Sequence, residues 1–202
     1  VYLAYIKNGL AHVISSQSYV VMSRHTFIDT GFSETADHVA IAFDGTMPKN
    51  VSGKYEFLTE TSPWVLWTAS GVLYARKLGT ADTITLASAN CTWIDAIRAT
   101  WSEIAAFDFG LCCFFIVNGA VYYRQLIGGT WYDAEAIPAT ALPTVESGVT
   151  WIQVSCSRTW DWRIVLQLKS SDGKLYECFT QFMGIGSKAA EQAVTEVPVV
   201  AE

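Results

Sequence analysis

Two Asn-Gly dipeptides, each between apolar runs, constrain the fold of this chain more than any other feature. One joins Val1–Ile6 to Leu10–Ile14 through Lys7-Asn8-Gly9; the other lies inside Cys112–Asp133, CCFFIVNGAVYYRQLIGGTWYD. A type I′ turn needs positive φ at both central residues, which Asn and Gly supply at least cost, so each dipeptide predicts a tight antiparallel hairpin. In the second stretch, Gly128-Gly129 permits another reversal into Thr130-Trp131-Tyr132, so three consecutive strands follow one another.

The hairpin recurs. YIKNGLAH, WTASGVLYA, IVNGAVYYR and KSSDGKLYE align on Gly9, Gly71, Gly119 and Gly173, which lie 62, 48 and 54 residues apart. Thr92-Trp93-Ile94 and Thr150-Trp151-Ile152 open the third and fourth copies, and His38-Val39-Ala40-Ile41 is a weaker counterpart one unit earlier. A repeat of about 50 residues holding four strands fits a propeller blade, because one small sheet cannot bury both faces until neighbours stack on it. The expected fold is therefore all-β: a β-propeller-like array of about four four-stranded antiparallel units over residues 1–186, with 187–202 as a C-terminal tail or linker. A β-sandwich or jelly roll is the alternative, since apolar-Gly-apolar hairpins occur in any meander. The first unit lacks an opening strand and the last lacks an evident closing one, so either the ends complete one shared blade or further chain supplies the rest. Between the units, residues 23–37 read as a polar loop, Tyr19–Met22 as a short strand, and 138–148, with two prolines, as a linker.

Composition narrows the function classes. Hydrophobic residues make up 51%, aromatics 13% and charged residues 16%, which is too apolar for disorder. No apolar run approaches the roughly 18 residues of a membrane helix, so membrane insertion is not expected. The formal charge of −6, without a basic cluster, disfavours nucleic-acid binding through phosphates. So few charges beside eight Trp, nine Tyr and ten Phe point to apolar surface covered by neighbouring polypeptides, or simply to an aromatic β core. A start at Val1 rather than Met suggests an excerpt or processed product, and no signal peptide or lipidation motif is visible. Five cysteines without C-x-x-C spacing read as buried free thiols; Cys112 and Cys113, adjacent on a strand, should face opposite ways.

Catalytic motifs are missing from the sequence. His12, His25 and His38 have no ligand spacing, and neither a nucleophile elbow, a P-loop nor a dinucleotide fingerprint occurs, so neither a metal nor a cofactor is expected. Glycosidases need paired carboxylates; the candidates are Asp44, Asp95, Asp133, Glu135 and Asp161, of which Asp95 lies within a strand where it could face a channel. Sialidase-type propellers carry an Asp-box, but Ser170–Tyr176 departs from it because Gly173 follows Asp172 directly and no Trp closes it. A non-enzyme is expected. Aromatic faces stack on sugar rings, and the residues nearest loops, Trp101, Trp131, Tyr132, Trp160 and Trp162, are the candidate ligand-binding set, with packing between sheets as the alternative for each. The sequons Asn50-Val51-Ser52 and Asn90-Cys91-Thr92 matter only in a secretory setting.

The Trp-rich units with a G-x-[LV]-Y hairpin, such as SGVLYARKL and DGKLYECF, resemble propeller-type repeats of bacteriophage tail and fibre proteins across residues 1–183. The resemblance transfers no functional residue. It implies a non-enzymatic virion component in an oligomeric assembly, with other virion proteins or copies of itself as partners and a host-surface glycan as candidate ligand. A secreted or cell-surface lectin and the propeller of a glycoside hydrolase are the alternatives.

Overall fold

The computed structural model describes residues 2–16, 26–44, 50–51, 54–55, 62–100, 109–127, 129–158, 164–180 and 194–197. They form four antiparallel sheets that follow one another in chain order. The first holds β1 (Tyr2–Lys7), β2 (Leu10–Ser15) and β3 (Ile28–Thr35). A two-residue-per-strand hairpin, β5 (Asn50–Val51) and β6 (Lys54–Tyr55), interrupts the second sheet after β4 (His38–Ala42). That sheet continues with β7 (Trp64–Ala69), β8 (Val72–Lys77) and β9 (Thr83–Ala87). The third contains β10 (Cys91–Thr100), β11 (Phe109–Val117) and β12 (Ala120–Ile127), with β13 (Thr130–Trp131) and β14 (Glu135–Ala136) both pairing β12. The fourth contains β15 (Trp151–Arg158), β16 (Ile164–Ser170), β17 (Leu175–Thr180) and β18 (Val194–Val197). No α-helix occurs among the described residues, so the all-β expectation holds.

The turns form as their residues dictate. Asn8 and Gly9 have φ of 54° and 74°, Ser70 and Gly71 50° and 78°, and Asn118 and Gly119 50° and 77°, the paired positive φ of a type I′ turn. The fourth hairpin is one residue longer, with the Ser170 amide donating to the Lys174 carbonyl and Gly173 at φ 90°.

Sheets two to four open on the strands β4, β10 and β15; β10 lies against β4 on one side and β15 on the other. The third sheet is thus central, which explains the unbroken apolar run of β11: a strand buried on both faces needs no polar alternation. Cys112, Phe114 and Ile116 face the core shared with the fourth sheet, while Leu111, Cys113 and Phe115 face the core shared with the second. All five cysteines are free thiols, and Cys112 and Cys113 point to opposite faces as strand geometry requires.

A repeated backbone bond joins one sheet to the next. Gly9, Gly71 and Gly119 each accept, through the carbonyl, the amide of the residue that leads the next sheet: Ala36 at 3.0 Å, Cys91 at 2.8 Å and Trp151 at 3.0 Å. Such a bond satisfies two groups that a turn and a strand end would otherwise leave unpaired. It also corrects the alignment of the units. A bulge follows both Cys91 and Trp151, and both side chains are buried, so these two residues are structurally equivalent. The two Thr-Trp-Ile tripeptides are therefore two residues out of register with each other, Trp93 corresponding to Gln153.

Three other expectations change. Residues 28–35, read as loop, form β3, an outer strand whose Asp29 and Ser33 face solvent and whose Gly31, at φ 78°, lies in a register shift against β2. The segment from 138 to 148 is no free linker, because Ala141 and Leu142 are buried in the core between sheets three and four. The fourth sheet does not end at residue 186: Val194–Val197, rich in β-branched residues, pairs with β17 as its closing strand. The expected strand at Tyr19–Met22 lies outside the described residues.

Candidate functional site

Of the five aromatic candidates, Trp101, Trp160 and Trp162 lie outside the described residues; Trp131 and Tyr132 are described. Thr130 and Trp131 pair with the end of β12, which turns the Trp131 ring toward the second sheet. It meets Trp64 edge-on, with centroids 5.5 Å apart, in the geometry aromatic quadrupoles favour. Tyr132, one residue on, is exposed. Its carbonyl accepts from Arg124 Nε, and the same guanidinium donates through Nη1 to the Leu86 carbonyl at 2.6 Å, tying the third sheet to the second.

Polar groups collect around the Trp64 ring. Trp64 Nε1 donates to Asp44 Oδ2 at 2.8 Å, and Lys77 Nζ lies 3.4 Å from the same oxygen. The other carboxylate oxygen, Asp44 Oδ1, is buried without a hydrogen-bond partner, and so is Trp131 Nε1. Buried polar atoms are nearly always paired, so an unpaired acceptor and an unpaired donor, each on a side chain contacting Trp64, set this seam apart among the described residues. Asp44, Trp64, Trp131, Lys77 and exposed Tyr132 make up this seam. In the sequence Asp44 reads as a turn residue and Trp64 as the start of a strand, and only their meeting across 20 residues reveals the pair.

The opening strands carry a second cluster. The rings of His38 on β4 and Trp93 on β10 lie 4.3 Å apart. Burial lowers the His38 pKa, opposed by the nearby charge of Asp37, so His38 is held toward its neutral form. Two residues along β10, Asp95 accepts the Cys156 amide at 2.8 Å on Oδ2 and the Ala96 amide at 2.8 Å on Oδ1. Burial raises the Asp95 pKa despite these bonds, and it drives the Cys156 thiol well above its ordinary value, with the Asp95 charge adding to the effect. A thiol kept protonated is a poor nucleophile, and a carboxylate spent on a neighbouring strand's amide acts as a strut between sheets.

The other candidate carboxylates do not converge on Asp95. Asp44 belongs to the Trp64 seam, Glu135 accepts from the Tyr123 hydroxyl, Asp133 is exposed, and Asp161 lies outside the described residues. Asp172 of the degenerate Asp-box accepts from Ser170 and pairs with Lys174 at 3.4 Å, closing its own turn. Among the described residues no group of three or more His, Cys, Asp or Glu is placed to hold a metal, and no helix is long and apolar enough to cross a membrane. His25 lies outside the described residues; His12 stacks on Tyr5 at 5.5 Å.

No protein-family model matches this chain, and no curated protein does.

Proposed function

We propose that this chain is a non-enzymatic structural module of a virion assembly, of the bacteriophage tail or fibre type, that contacts a host-surface glycan. The observation that carries the assembly part is the distribution of exposed apolar side chains. Of nine large hydrophobic residues exposed among the described ones, six (Leu3, Ile6, Leu10, Phe27, Ile28 and Phe43) lie on the first sheet or beside it. A concentration of apolar surface on one side of a β array marks a surface that another polypeptide covers. The exposed Tyr132 ring at the edge of the Trp64 seam supports the glycan part, because an accessible aromatic face suits a sugar ring.

The test is a glycan array with intact bacterial envelopes alongside, reading bound protein and released sugar together. Saturable binding without release, weakened by Tyr132→Ala, is expected; released sugar would overturn the non-enzymatic reading, and absence of binding would confine the role to assembly. Mass spectrometry of purified particles tests the virion part separately, which requires the chain to be present in many copies per particle.

A further inference from the structure

Lys7, Ala69, Val117 and Ser170 each precede a hairpin turn, which makes β1 the counterpart of β7, β11 and β16, and Leu3 that of Leu166. Ala4 and Ile6, whose amides point away from β2 by the alternation of an antiparallel pair, correspond to Leu66 and Thr68. Two of the four turns carry the same dipeptide, Asn8-Gly9 and Asn118-Gly119, at nearly the same φ. Their surroundings differ. In the second and third units the residue ahead of the next sheet's leading residue closes over the turn glycine. A Cβ on Gly71 would stand 3.1 Å from the Asn90 nitrogen, and one on Gly119 2.6 Å from Thr150 Cβ. Thr150 is itself held: its amide donates to Ser171 Oγ at 3.1 Å, and its carbonyl accepts the Ser171 amide at 2.8 Å. In the first unit that place belongs to Thr35, yet among the described residues nothing lies within 4 Å of a Cβ on Gly9. Both asparagines are exposed, but Gly9 is exposed where Gly119 is half-buried.

Asn-Gly is a reactive pair as well as a turn. Glycine has no Cβ, so its backbone nitrogen is unhindered in attacking the carboxamide of the preceding asparagine. In the left-handed conformation of a type I′ turn the asparagine ψ is about +47°, which holds that nitrogen anti to Cβ and out of reach of Cγ. The ring therefore closes only when the turn opens, and local opening is what the surroundings control. At Asn118 the backbone must swing past Thr150; at Asn8 it meets no such neighbour. Asn90, also at positive φ (56°), is followed by Cys91 and lacks the unhindered nitrogen.

We propose that Asn8 is a site of spontaneous conversion to isoaspartate, and that Thr150 shields Asn118 from the same reaction. The Gly9 nitrogen gives up its proton and bonds Asn8 Cγ; the Cγ–Nδ2 bond breaks and ammonia leaves, giving a cyclic succinimide. Water then cleaves one of the two bonds between a ring carbonyl and the Gly9 nitrogen. Cleavage at the original main-chain carbonyl leaves isoaspartate, with the chain routed through the side chain; cleavage at Cγ leaves aspartate. Nothing is oxidised or reduced. Isoaspartate adds a methylene to the main chain inside a two-residue turn, so the paired positive φ is lost. The Gly9 carbonyl, which accepts the Ala36 amide at 3.0 Å, loses its seat with it. Conversion therefore loosens the first sheet from the second and leaves the junction of Gly119 with Trp151 intact.

The test ages the whole folded chain at mildly alkaline pH and maps its peptides by mass spectrometry, with protein isoaspartyl methyltransferase reporting isoaspartate independently. Product at Asn8 should accumulate at least about tenfold faster than at Asn118, the ratio expected when one turn opens at modest extra cost. In concentrated urea the two rates should converge, because only local sequence then distinguishes the sites. Amide exchange at Ala36 should quicken in the converted fraction while Trp151 stays protected. Thr150→Gly, which clears the space over Gly119, should raise the Asn118 rate and leave that of Asn8 unchanged. Equal or inverted rates in the folded chain, a ratio that persists in urea, or an Asn8 rate no higher than that of Asn90 overturns the proposal, and all of these are read on the unmutated chain. An unaltered Asn118 rate in Thr150→Gly removes Thr150 as the shield, and unchanged Ala36 exchange overturns the loosening of the first sheet.

Discussion

Leu3 and Leu166 occupy the same place in two copies of one unit, yet the first is half exposed and the second is sealed. The residue type is identical and each strand leads into its unit's hairpin turn, the fourth turn being one residue longer. What differs is the neighbour: β15 covers the strand that holds Leu166, and no described strand covers β1. Burial in a repeat array is thus a property of the adjoining strand as much as of the side chain, in keeping with stability shared between units and their interfaces.

The largest expected effect comes from breaking this pair directly. Leu166→Ala should cost about 2–5 kcal/mol, the range for a sealed leucine, and Leu3→Ala about 1 kcal/mol or less. Urea unfolding midpoints at constant slope measure both; equal losses would mean that β1 is covered after all.

The turns extend the comparison. Gly9 and Gly119 both have positive φ, but a Cβ on Gly9 would meet nothing within 4 Å, whereas one on Gly119 would stand 2.6 Å from Thr150 Cβ. Gly9→Ala should cost about 1–2 kcal/mol of backbone strain, and Gly119→Ala about 1–3 kcal/mol more because Thr150 must move away.

The seams between sheets differ in kind. Between the third and fourth sheets stands half-buried Asp95, whose pKa lies above the unfolded value near 3.8. The folded chain therefore holds that proton longer than the unfolded chain, and this contribution to stability falls as pH rises from about 3.8 through the raised value. Asp95→Asn, neutral throughout, should flatten that portion of the stability–pH curve, read as the difference between the two proteins. Between the first and second sheets, Arg76 pairs with Glu34 at 2.5 Å and lies over the Phe32 and Trp67 rings at 4.7 and 5.4 Å. That pair is partly solvated, so Glu34→Gln should cost at most about 1 kcal/mol, and less at high salt.

Much of the fold is legible in the sequence because its turns depend on single residues. Asn8-Gly9 and Asn118-Gly119 announce positive φ, and an apolar run such as that of β11 announces burial on both faces. Where the information is tertiary, the sequence is silent or misleading. β3 is polar because it is an outer strand, so it reads as loop. β18 belongs to the fourth sheet only through its pairing with β17. The repeated Thr-Trp-Ile signals the right number of units through the wrong register, since the element the units share is a backbone bond from turn glycine to leading amide, which leaves no residue-specific trace. At the candidate site, Trp131 is recognisable as an aromatic near a turn. Its meeting with Trp64, and that ring's bond to Asp44, arise from sheet packing across the second and third units, and no local pattern encodes them.

The central claim, that among the described residues no strand pairs with the outer edge of β1, is tested most directly by amide hydrogen exchange resolved to single residues in the isolated chain. The account predicts fast exchange at Ala4 and Ile6 beside strong protection at their counterparts Leu66 and Thr68. Equal protection at all four amides would contradict it, because β1 would then already have a strand along its outer edge.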